Sequence, residues 1–512
     1  MIRSAVIPWL LCITGLAAAE RPDLLRFTNG DQLHGSFIGI KEGPRAVWQR
    51  DDIGAPVDFK TERIRHIVLH GGRALKPLES LSNITLVNGD RIPGIITAVD
   101  GDRITLDTAF AGLLHIPRAQ VAMLSPNPLG GRIYYHGPFS EDDWKMTSPA
   151  FPEGLPAEIL EDKEKEDGGD DDADTPPGRW VFSGSAWYWQ HKNPGTALIH
   201  ETGMSARAVL SFDIAWKKRL SLAIAFHADF AKTNDKDEDK DEENDNKRKA
   251  RAFANGDTSI LPVLFGNSYV LQLTSNYLML FRTSVDADGN PSLERIQLSN
   301  NNLRLGETGR AKVELRSNRG NGGITLFVDD EFIAQWNENE LVNHDDPPFS
   351  GNGTGFGFVA QGSDAAIRIS DIVVSEWNGM PDSARSLQMD DYDVVLMANG
   401  TDRYSGRIDR LDDDGKILFE GKHGNFKFPL DEVAEIRFAT KQLASADDSP
   451  ADNIVVHLKP IGTVSGSPVS GDGPMLGIIN PIIGEMNLSM DAAVMLDFNA
   501  SNHLIDDWDA NF

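Results

Sequence analysis

The chain has 512 residues, 40% of them hydrophobic and 25% charged, which is enough for roughly three to four domains with ordinary cores. Its 77 acidic side chains outnumber its 49 basic ones and give a formal net charge of -28. Such a field repels phosphate backbones and anionic lipid surfaces, and the sequence contains no basic stripe that would offset it. Nucleic acid is therefore excluded as an expected partner.

The first residues, MIRSAVIPWLLCITGLAAAE, combine Arg3, a short apolar segment and the small residues Ala17 and Ala19. This pattern predicts a signal peptide over residues 1–19, because the apolar segment is too short to span a bilayer. The single cysteine, Cys12, lies inside it, so a mature chain would have no disulfide or thiolate metal ligand. We expect export to the periplasm or surface of a bacterium, with no membrane insertion after cleavage.

Short runs of β-branched and aromatic residues, separated by Asn-Gly, Asp-Gly and Gly-Gly turns, predict an all-β chain. The phrase LRFTNGDQLHG returns as ITLVNGDRIPG, and each reads as a strand, an Asn-Gly turn and a second strand. Gly35 and Gly94 follow the turns by five residues, where we expect a bulge or a close backbone approach. Turn chemistry also accounts for Asp31 and Asp90, and ligand binding by these two acids is the alternative.

Each phrase begins a unit of about five short strands, which predicts a small β-barrel of the SH3-like or Sm-like kind. A third copy and a degraded fourth follow near the C-terminus. The longer segment between the two pairs has about eight strands and predicts a two-sheet jelly-roll sandwich that carries two acidic loop insertions. The predicted divisions are 20–75 and 76–130 for two barrels, 131–380 for the sandwich, 158–178 and 232–256 for its acidic insertions, and 388–442 and 450–512 for the last two barrels.

The order of strands in the central segment carries a resemblance. SFDIAW, LSLAIAFHAD, KVELRSNRGNGGITLFVDDEFIAQW and GTGFGFVAQGSDAAIRISDIVVSEW follow one another in a way that resembles the concanavalin A-like or laminin-G-like sandwich. The segment is similar in particular to the 3-keto-disaccharide hydrolase domain family, and the flanking barrels are similar to those of uncharacterised exported bacterial proteins. The resemblance covers about half of the chain and implies a fold more than an activity, because it carries no catalytic signature.

Aromatic residues are the best candidates for a ligand-binding site. The candidates are Trp180, Trp187, Trp189 and Trp216. Trp187 and Trp189 are two residues apart and share one face of a predicted strand, and an exposed indole can stack on the apolar face of a sugar ring. Core packing is the alternative, which we favour for Trp187 and Trp216 because large aromatics more often fill sandwich interiors.

A possible calcium site lies in the string DADGNPSLE, where Asp286, Asp288 and Asn290 occupy alternate positions. Aligned as an EF-hand loop with Gly289 at the sixth position, the string puts Arg295 where a carboxylate is required. A β-hairpin turn is the simpler interpretation. Calcium is the only cofactor that the sequence suggests.

The sequence lacks the familiar signatures of catalysis. No predicted strand carries the closely spaced acids of a sandwich glycosidase, and neither a nucleophile elbow nor zinc-type histidine spacing is present. We therefore assign no catalytic residue. The sequence favours an exported, non-enzymatic protein that binds a glycan or a cell-envelope protein through its sandwich. A sugar-processing hydrolase of the concanavalin A-like type and a structural assembly protein are the alternatives, and the oligomeric state is left open.

Overall fold

The computed structural model describes most of the chain outside its N-terminus and the acidic insertions. The described residues are 22–29, 31–147, 178–183, 186–189, 196–231, 260–296, 303–329, 331–338, 353–361, 366–379, 389–445, 453–472 and 474–498. The predicted signal peptide and nearly all of both acidic insertions lie outside these ranges. The described residues are almost entirely strands and turns, so the predicted all-β class is confirmed.

The first barrel shows the pattern that the other three repeat. Its strands are β1 (Asp23–Phe27), β2 (Gln32–Lys41), β3 (Arg45–Gln49), β4 (Val57–Lys60) and β5 (Ile64–Val68). A single 3-10 turn, Thr61–Arg63, joins β4 to β5. The first strand pairs with both the second and the last, so the strands follow one another in the order β5-β1-β2-β3-β4.

The other barrels have the same order of elements. The second has β6 (Asn83–Leu86), β7 (Arg91–Pro93), β8 (Ile95–Val99), β9 (Arg103–Thr108), β10 (Gly112–Pro117) and β11 (Val121–Ser125). The third has β27 (Asp393–Met397), β28 (Arg403–Leu411), β29 (Lys416–Gly421), β30 (Gly424–Pro429) and β31 (Val433–Arg437). The fourth has β32 (Ile454–Leu458), β33 (Thr463–Asp472), β34 (Met475–Asn480), β35 (Gly484–Ser489) and β36 (Ala493–Asp497). In each, the first strand again pairs with the second and the last.

A glycine in the second strand of each barrel makes this tight curvature possible. A Cβ built on it would lie less than 3.0 Å from a carbonyl oxygen of the third strand. The pairs are Gly35 with Gln49, Gly94 with Asp107, Gly406 with Glu420, and Gly466 with Ile479. In the second barrel the glycine separates β7 from β8, the two halves of that strand. The close approach expected at Gly35 and Gly94 is therefore present.

We expect Gly94→Ala to lower the free energy of unfolding by about 1–3 kcal/mol, because the added methyl group would lie 2.7 Å from the Asp107 carbonyl oxygen. Gly101→Ala is the matched control, since a Cβ there has nothing within 4 Å. The control should stay within about 0.5 kcal/mol of the wild type. Urea unfolding measures both values, and equal effects would contradict the role given to Gly94.

The barrels join through their last strands. β5 pairs antiparallel with β36, with Leu496 opposite Ile67, and β11 pairs with β31, with Leu124 opposite Ile436. These four residues occupy the same position in the four barrels, and all are fully buried. The first barrel and the fourth thus form one pair with approximate two-fold symmetry, and the second and third form another.

A single strand of the fourth barrel links the two pairs. β33 pairs with β2 of the first barrel and with β7 of the second. The result is a continuous network of 18 hydrogen-bonded strands, and apolar side chains from all four barrels belong to one buried cluster. Each barrel is too small for a large core of its own, so the shared cluster supplies the burial that stabilises all four.

Asp90 fastens the second barrel to the fourth. Its buried carboxylate accepts hydrogen bonds from the backbone N–H of Ser465 (3.0 Å), the Ser465 hydroxyl (2.9 Å) and Nδ2 of Asn480 (2.8 Å). Asp31, at the same repeat position in the first barrel, is exposed and accepts from Nδ2 of Asn29 at 2.7 Å. Asp90 is thus a structural link between barrels.

Asp90→Ala should lower the unfolding free energy by about 2–4 kcal/mol, because it leaves buried donors of Ser465 and Asn480 without their acceptor. The equivalent change in the first barrel, Asp31→Ala, should have an effect below about 1 kcal/mol. Thermal and chemical unfolding of the two variants test the difference. A fully tolerated Asp90→Ala would rule out the link.

The central sandwich consists of one sheet of eight strands and one of seven. In order across the first sheet, the strands are β14 (Val181–Ser183), β15 (Ala186–Trp189), β26 (Ala366–Glu376), β17 (Arg207–Lys217), β22 (Gly309–Asn318), β23 (Gly323–Val328) and β24 (Glu331–Asn337), with β12 (Ile133–Gly137) beside β26. The second sheet runs β13 (Lys145–Thr147), β16 (Ala197–His200), β25 (Gly355–Ala360), β18 (Ser221–Ala228), β19 (Ser268–Thr274), β20 (Leu278–Val285) and β21 (Pro291–Ile296).

The sandwich core follows from alternation along the strands. In β17, Leu210, Phe212 and Ile214 point inward and are buried, whereas the residues between them are partly exposed. The outer face of the second sheet is covered in part by a short helix, α1 (Leu261–Phe265), whose buried side chains pack on that sheet. No helix in the described part of the chain has the length and apolar character needed to cross a membrane.

Candidate functional site

The sandwich and the barrels meet along β12. This strand pairs with β26 of the sandwich, and its first residue, Ile133, donates its backbone N–H to the carbonyl of Pro460 in the fourth barrel (3.0 Å). Just before it, Gly131 donates to the Glu376 carbonyl at the end of β26 (2.8 Å). β12 therefore forms one wall of the space between the sandwich edge and the barrels.

That space is a crevice of about 500 Å³, which we call the junction crevice. It is lined by residues from the segment after β5, from β12, from β16 and from the loop between β32 and β33, among them Arg73, Tyr134, His136, Asp143, Glu201 and Lys459. Its volume lies within the usual range for small-molecule sites.

Most of the charges in the junction crevice are paired. Nη2 of Arg73 lies 3.3 Å from Oδ1 of Asp143, and Nζ of Lys145 lies 2.7 Å from Oε1 of Glu201. Three of these four side chains are largely exposed, and Asp143 is partly buried, so the pairs add little to stability. The pairing does orient the two carboxylates and the two cations. Each of these groups can still form further hydrogen bonds to a ligand.

Aromatic rings form the floor of the crevice and part of its rim. Tyr135 accepts a hydrogen bond from Nε1 of Trp144 (2.9 Å), and His200 stacks on Phe356 with ring centroids 4.9 Å apart. Burial raises the pKa of Tyr135 and lowers that of His200, so both are held neutral. Tyr134 precedes Tyr135 on β12, so its side chain lies on the opposite face of the strand. It is 39% exposed, at the rim of the crevice.

A smaller pocket of about 180 Å³ adjoins the junction crevice and shares His136 and Lys459 with it. We call it the basic pocket, because Arg91 and Lys459 line it together with the rings of His136 and His457, and none of its described lining residues is acidic. Burial lowers the pKa of Lys459 to about 8. Within the described residues, Lys459 has no carboxylate partner.

Two histidines that line the basic pocket, His136 and His457, belong to a cluster with His66. His136 donates through Nε2 to Oδ1 of Asp371 (3.2 Å), and its ring centroid lies 5.6 Å from that of His457. His66, on β5, is 6% exposed, and Nε2 of both His66 and His457 has no hydrogen-bond partner among the described residues. Burial lowers the pKa of His457 to about 3 and that of His66 well below its usual value, so both rings stay neutral at pH 7.

These histidines should make the protein sensitive to acid. A ring with a native pKa of about 3 and an unfolded pKa near 6.5 binds its proton preferentially in the unfolded chain, so stability falls as the pH drops below about 6.5. In His457→Gln we expect the slope of unfolding free energy against pH, between pH 6 and 4, to be shallower by about 1.4 kcal/mol per pH unit.

Urea unfolding at several pH values measures that slope. His423→Gln, in the exposed turn between β29 and β30, is the control and should leave the slope unchanged. If His457→Gln keeps the wild-type slope, the ring does not titrate in the way its burial implies.

The four tryptophans named from the sequence lie inside the sandwich. Trp180, Trp187, Trp189 and Trp216 are each exposed by 2% or less. Trp180 and Trp216 donate through Nε1 to the carbonyls of Thr196 (3.1 Å) and Gly306 (3.0 Å). A sugar cannot stack on an indole whose faces are covered by core residues. All four tryptophans therefore pack in the core, which was the alternative to sugar binding.

The candidate calcium residues form a turn. The Asp286 carboxylate accepts from the backbone N–H of Asp288 (2.9 Å) and from both the backbone N–H and Nδ2 of Asn290 (2.8 Å each), which lowers its pKa. This is the β20 to β21 hairpin. Across the described ranges, no three His, Cys, Asp or Glu side chains are arranged to hold a metal ion.

The sequence reasoning missed the residues of the junction crevice. Tyr134 and His136 stand two apart in RIYYHG, an alternation that marks one face of a strand, and this was the signal available. Lys459 lies in HLKPIG, more than 300 residues further on, and nothing local indicates that the two segments meet.

The fold defines the class of protein: a jelly-roll sandwich inserted in the chain between the second and third of four small β-barrels. The sequence matches no protein-family model and no curated protein. Solved structures similar to the chain include the carbohydrate binding module CBM66 from Bacillus subtilis, with 13% identity over 39% of this chain and 92% of that one (TM-score 0.24). Another is a protein of unknown function with a galectin-like fold from Bacillus subtilis, with 12% identity over 48% and 96% (TM-score 0.28). A third is the potassium-bound carbohydrate recognition domain of Emp46p, with 10% identity over 48% and 98% (TM-score 0.27). These TM-scores are too low to support a conclusion about ligand or activity.

Proposed function

We propose that the protein binds a glycan in the junction crevice. The observation that carries the proposal is an exposed aromatic ring, Tyr134, at the rim of a crevice whose walls hold oriented acid and base pairs. Sugar rings present apolar C–H faces and hydroxyl groups together. A site for them therefore needs an aromatic surface beside fixed donors and acceptors.

The polar groups of the crevice suit hydroxyl recognition. The Arg73–Asp143 and Lys145–Glu201 pairs place a donor beside an acceptor on two sides of the crevice. A hydroxyl group can donate to one member and accept from the other, and the mutual pairing reduces the side-chain entropy lost on binding. Neutral His200 extends the aromatic surface of the floor.

The N-terminal sequence supports an extracytoplasmic site of action. The charged residue, short apolar segment and small residues of 1–19 are typical of an exported chain, so the proposed ligand is a glycan of the envelope or the surroundings of a bacterium. We propose binding without catalysis, since two of the three carboxylates that line the crevice, Asp143 and Glu201, are each paired with a cation.

A glycan array probed with the mature protein tests the proposal. Tyr134→Ala should weaken binding to each glycan recognised by about 5- to 30-fold, because roughly 1–2 kcal/mol of ring stacking is lost. Tyr277→Ala is the matched control, since Tyr277 is also exposed (41%) but lies in the turn between β19 and β20. Titration calorimetry on the best array ligands gives the affinities.

Two results would contradict the proposal. One is that the wild type binds no glycan on the array. The other is that Tyr134→Ala and Tyr277→Ala bind with equal affinity, which would place any glycan site elsewhere on the protein.

A further inference from the structure

The basic pocket differs in charge from the chain as a whole. Acidic side chains outnumber basic ones by 77 to 49 overall, yet the described lining of the basic pocket combines Arg91 and Lys459 with two histidines and no acid. In the adjoining junction crevice, Arg73 and Lys145 each have a carboxylate partner. Lys459, which reaches both spaces, has none among the described residues.

An ammonium group in this position is unfavourable without an anion. Lys459 is half-buried between β12 and the fourth barrel, and removing a charge from water without a partner costs free energy. A chain under no other constraint could place an apolar residue or a carboxylate there. The neighbouring acid, Asp371, is hydrogen-bonded to His136 at 3.2 Å and does not line the pocket.

We propose that the glycan is acidic, and that its anionic substituent binds in the basic pocket against Lys459. The substituent is a carboxylate, as in a uronic acid, or a sulfate ester, since both present oxygen acceptors to a cation. The proposal rests on the proposed function, because the sugar rings next to the charged unit occupy the junction crevice.

The dimensions of the two spaces fit this division. About 180 Å³ accommodates one charged substituent and part of its ring, whereas the crevice of about 500 Å³ accommodates further sugar units. His136 and Lys459 border both spaces, so a chain of sugars can pass from one to the other. Tyr134 stacks on a ring in the wider space, and Lys459 selects for charge in the narrower one.

Thermal shifts with simple probes test the charge requirement directly. D-glucuronate and glucose 6-sulfate are compared with D-glucose and with the methyl ester of glucuronic acid, at equal concentration and with ionic strength matched by NaCl. At least one anionic probe should raise the Tm of the wild type by about 2 °C or more, and the two neutral probes should leave it unchanged. The probe that acts tells a carboxylate from a sulfate ester.

Lys459→Met removes the charge and keeps the aliphatic stem. It should abolish the anion-dependent shift, and the unliganded variant should melt at or above the wild-type temperature, because an unpaired ammonium is no longer buried. Lys422→Met, in the exposed β29 to β30 turn, changes the net charge equally and should retain the full shift. Lys459→Gln is the second variant, for use if the Met variant does not fold.

Three outcomes would overturn the inference: glucose stabilises the wild type as much as glucuronate does, neither anion stabilises it, or Lys459→Met retains the shift. The proposed function fails separately. If the array shows neutral glycans whose binding depends on Tyr134, the crevice is a glycan site and only the charge requirement is wrong.

Discussion

The pairing of β5 with β36 is the constraint on which the rest of the structure depends, because it joins the first barrel of the chain to the last. The matching pair, β11 with β31, joins the barrel before the sandwich to the barrel after it. The chain must therefore leave and re-enter the barrels at nearly the same place. The sandwich meets this requirement because its first strand, β12, pairs with its last, β26, so that its two ends lie side by side. The barrels thus hold the sandwich by both ends.

This closure creates the site. β12 comes from the start of the sandwich, Arg73 from the segment after the first barrel and Lys459 from the fourth barrel. The pairing of the first and last barrels and the hydrogen bond from Ile133 to Pro460 bring them to one crevice. The buried His66 lies on β5 opposite Asp497 of β36, so the strand pairing that positions the site also passes through the acid-sensitive cluster. Loss of that pairing would open the crevice together with the interface.

The repeats were predictable from the sequence and the site was not. Asn-Gly turns and the glycines at positions 35 and 94 are local features, so the first two barrels could be read directly. The fourth lacks an Asn-Gly turn but keeps Gly466 and the last strand AVMLD, the two features that curvature and pairing require. For the tryptophans, alternation shows that Trp187 and Trp189 share a face but not whether that face is inward, so the sequence left sugar stacking open beside the core packing that it favoured for Trp187 and Trp216. Whether Lys459 has a carboxylate partner depends on which segments meet in the folded chain, so the sequence could not predict it.

The two kinds of contact made by the fourth barrel differ in how well their polar groups are satisfied. Against the second barrel, the buried carboxylate of Asp90 has donors from Ser465 and Asn480 within 3.0 Å. Against the sandwich, Lys459 has no described carboxylate, and His457 has a ring nitrogen without a described partner. Selection for stability alone would satisfy or replace such groups, as it has at Asp90. This difference between the two interfaces supports the proposal that the contact between barrel and sandwich binds a ligand, because functional sites are where a chain departs from its own packing rules.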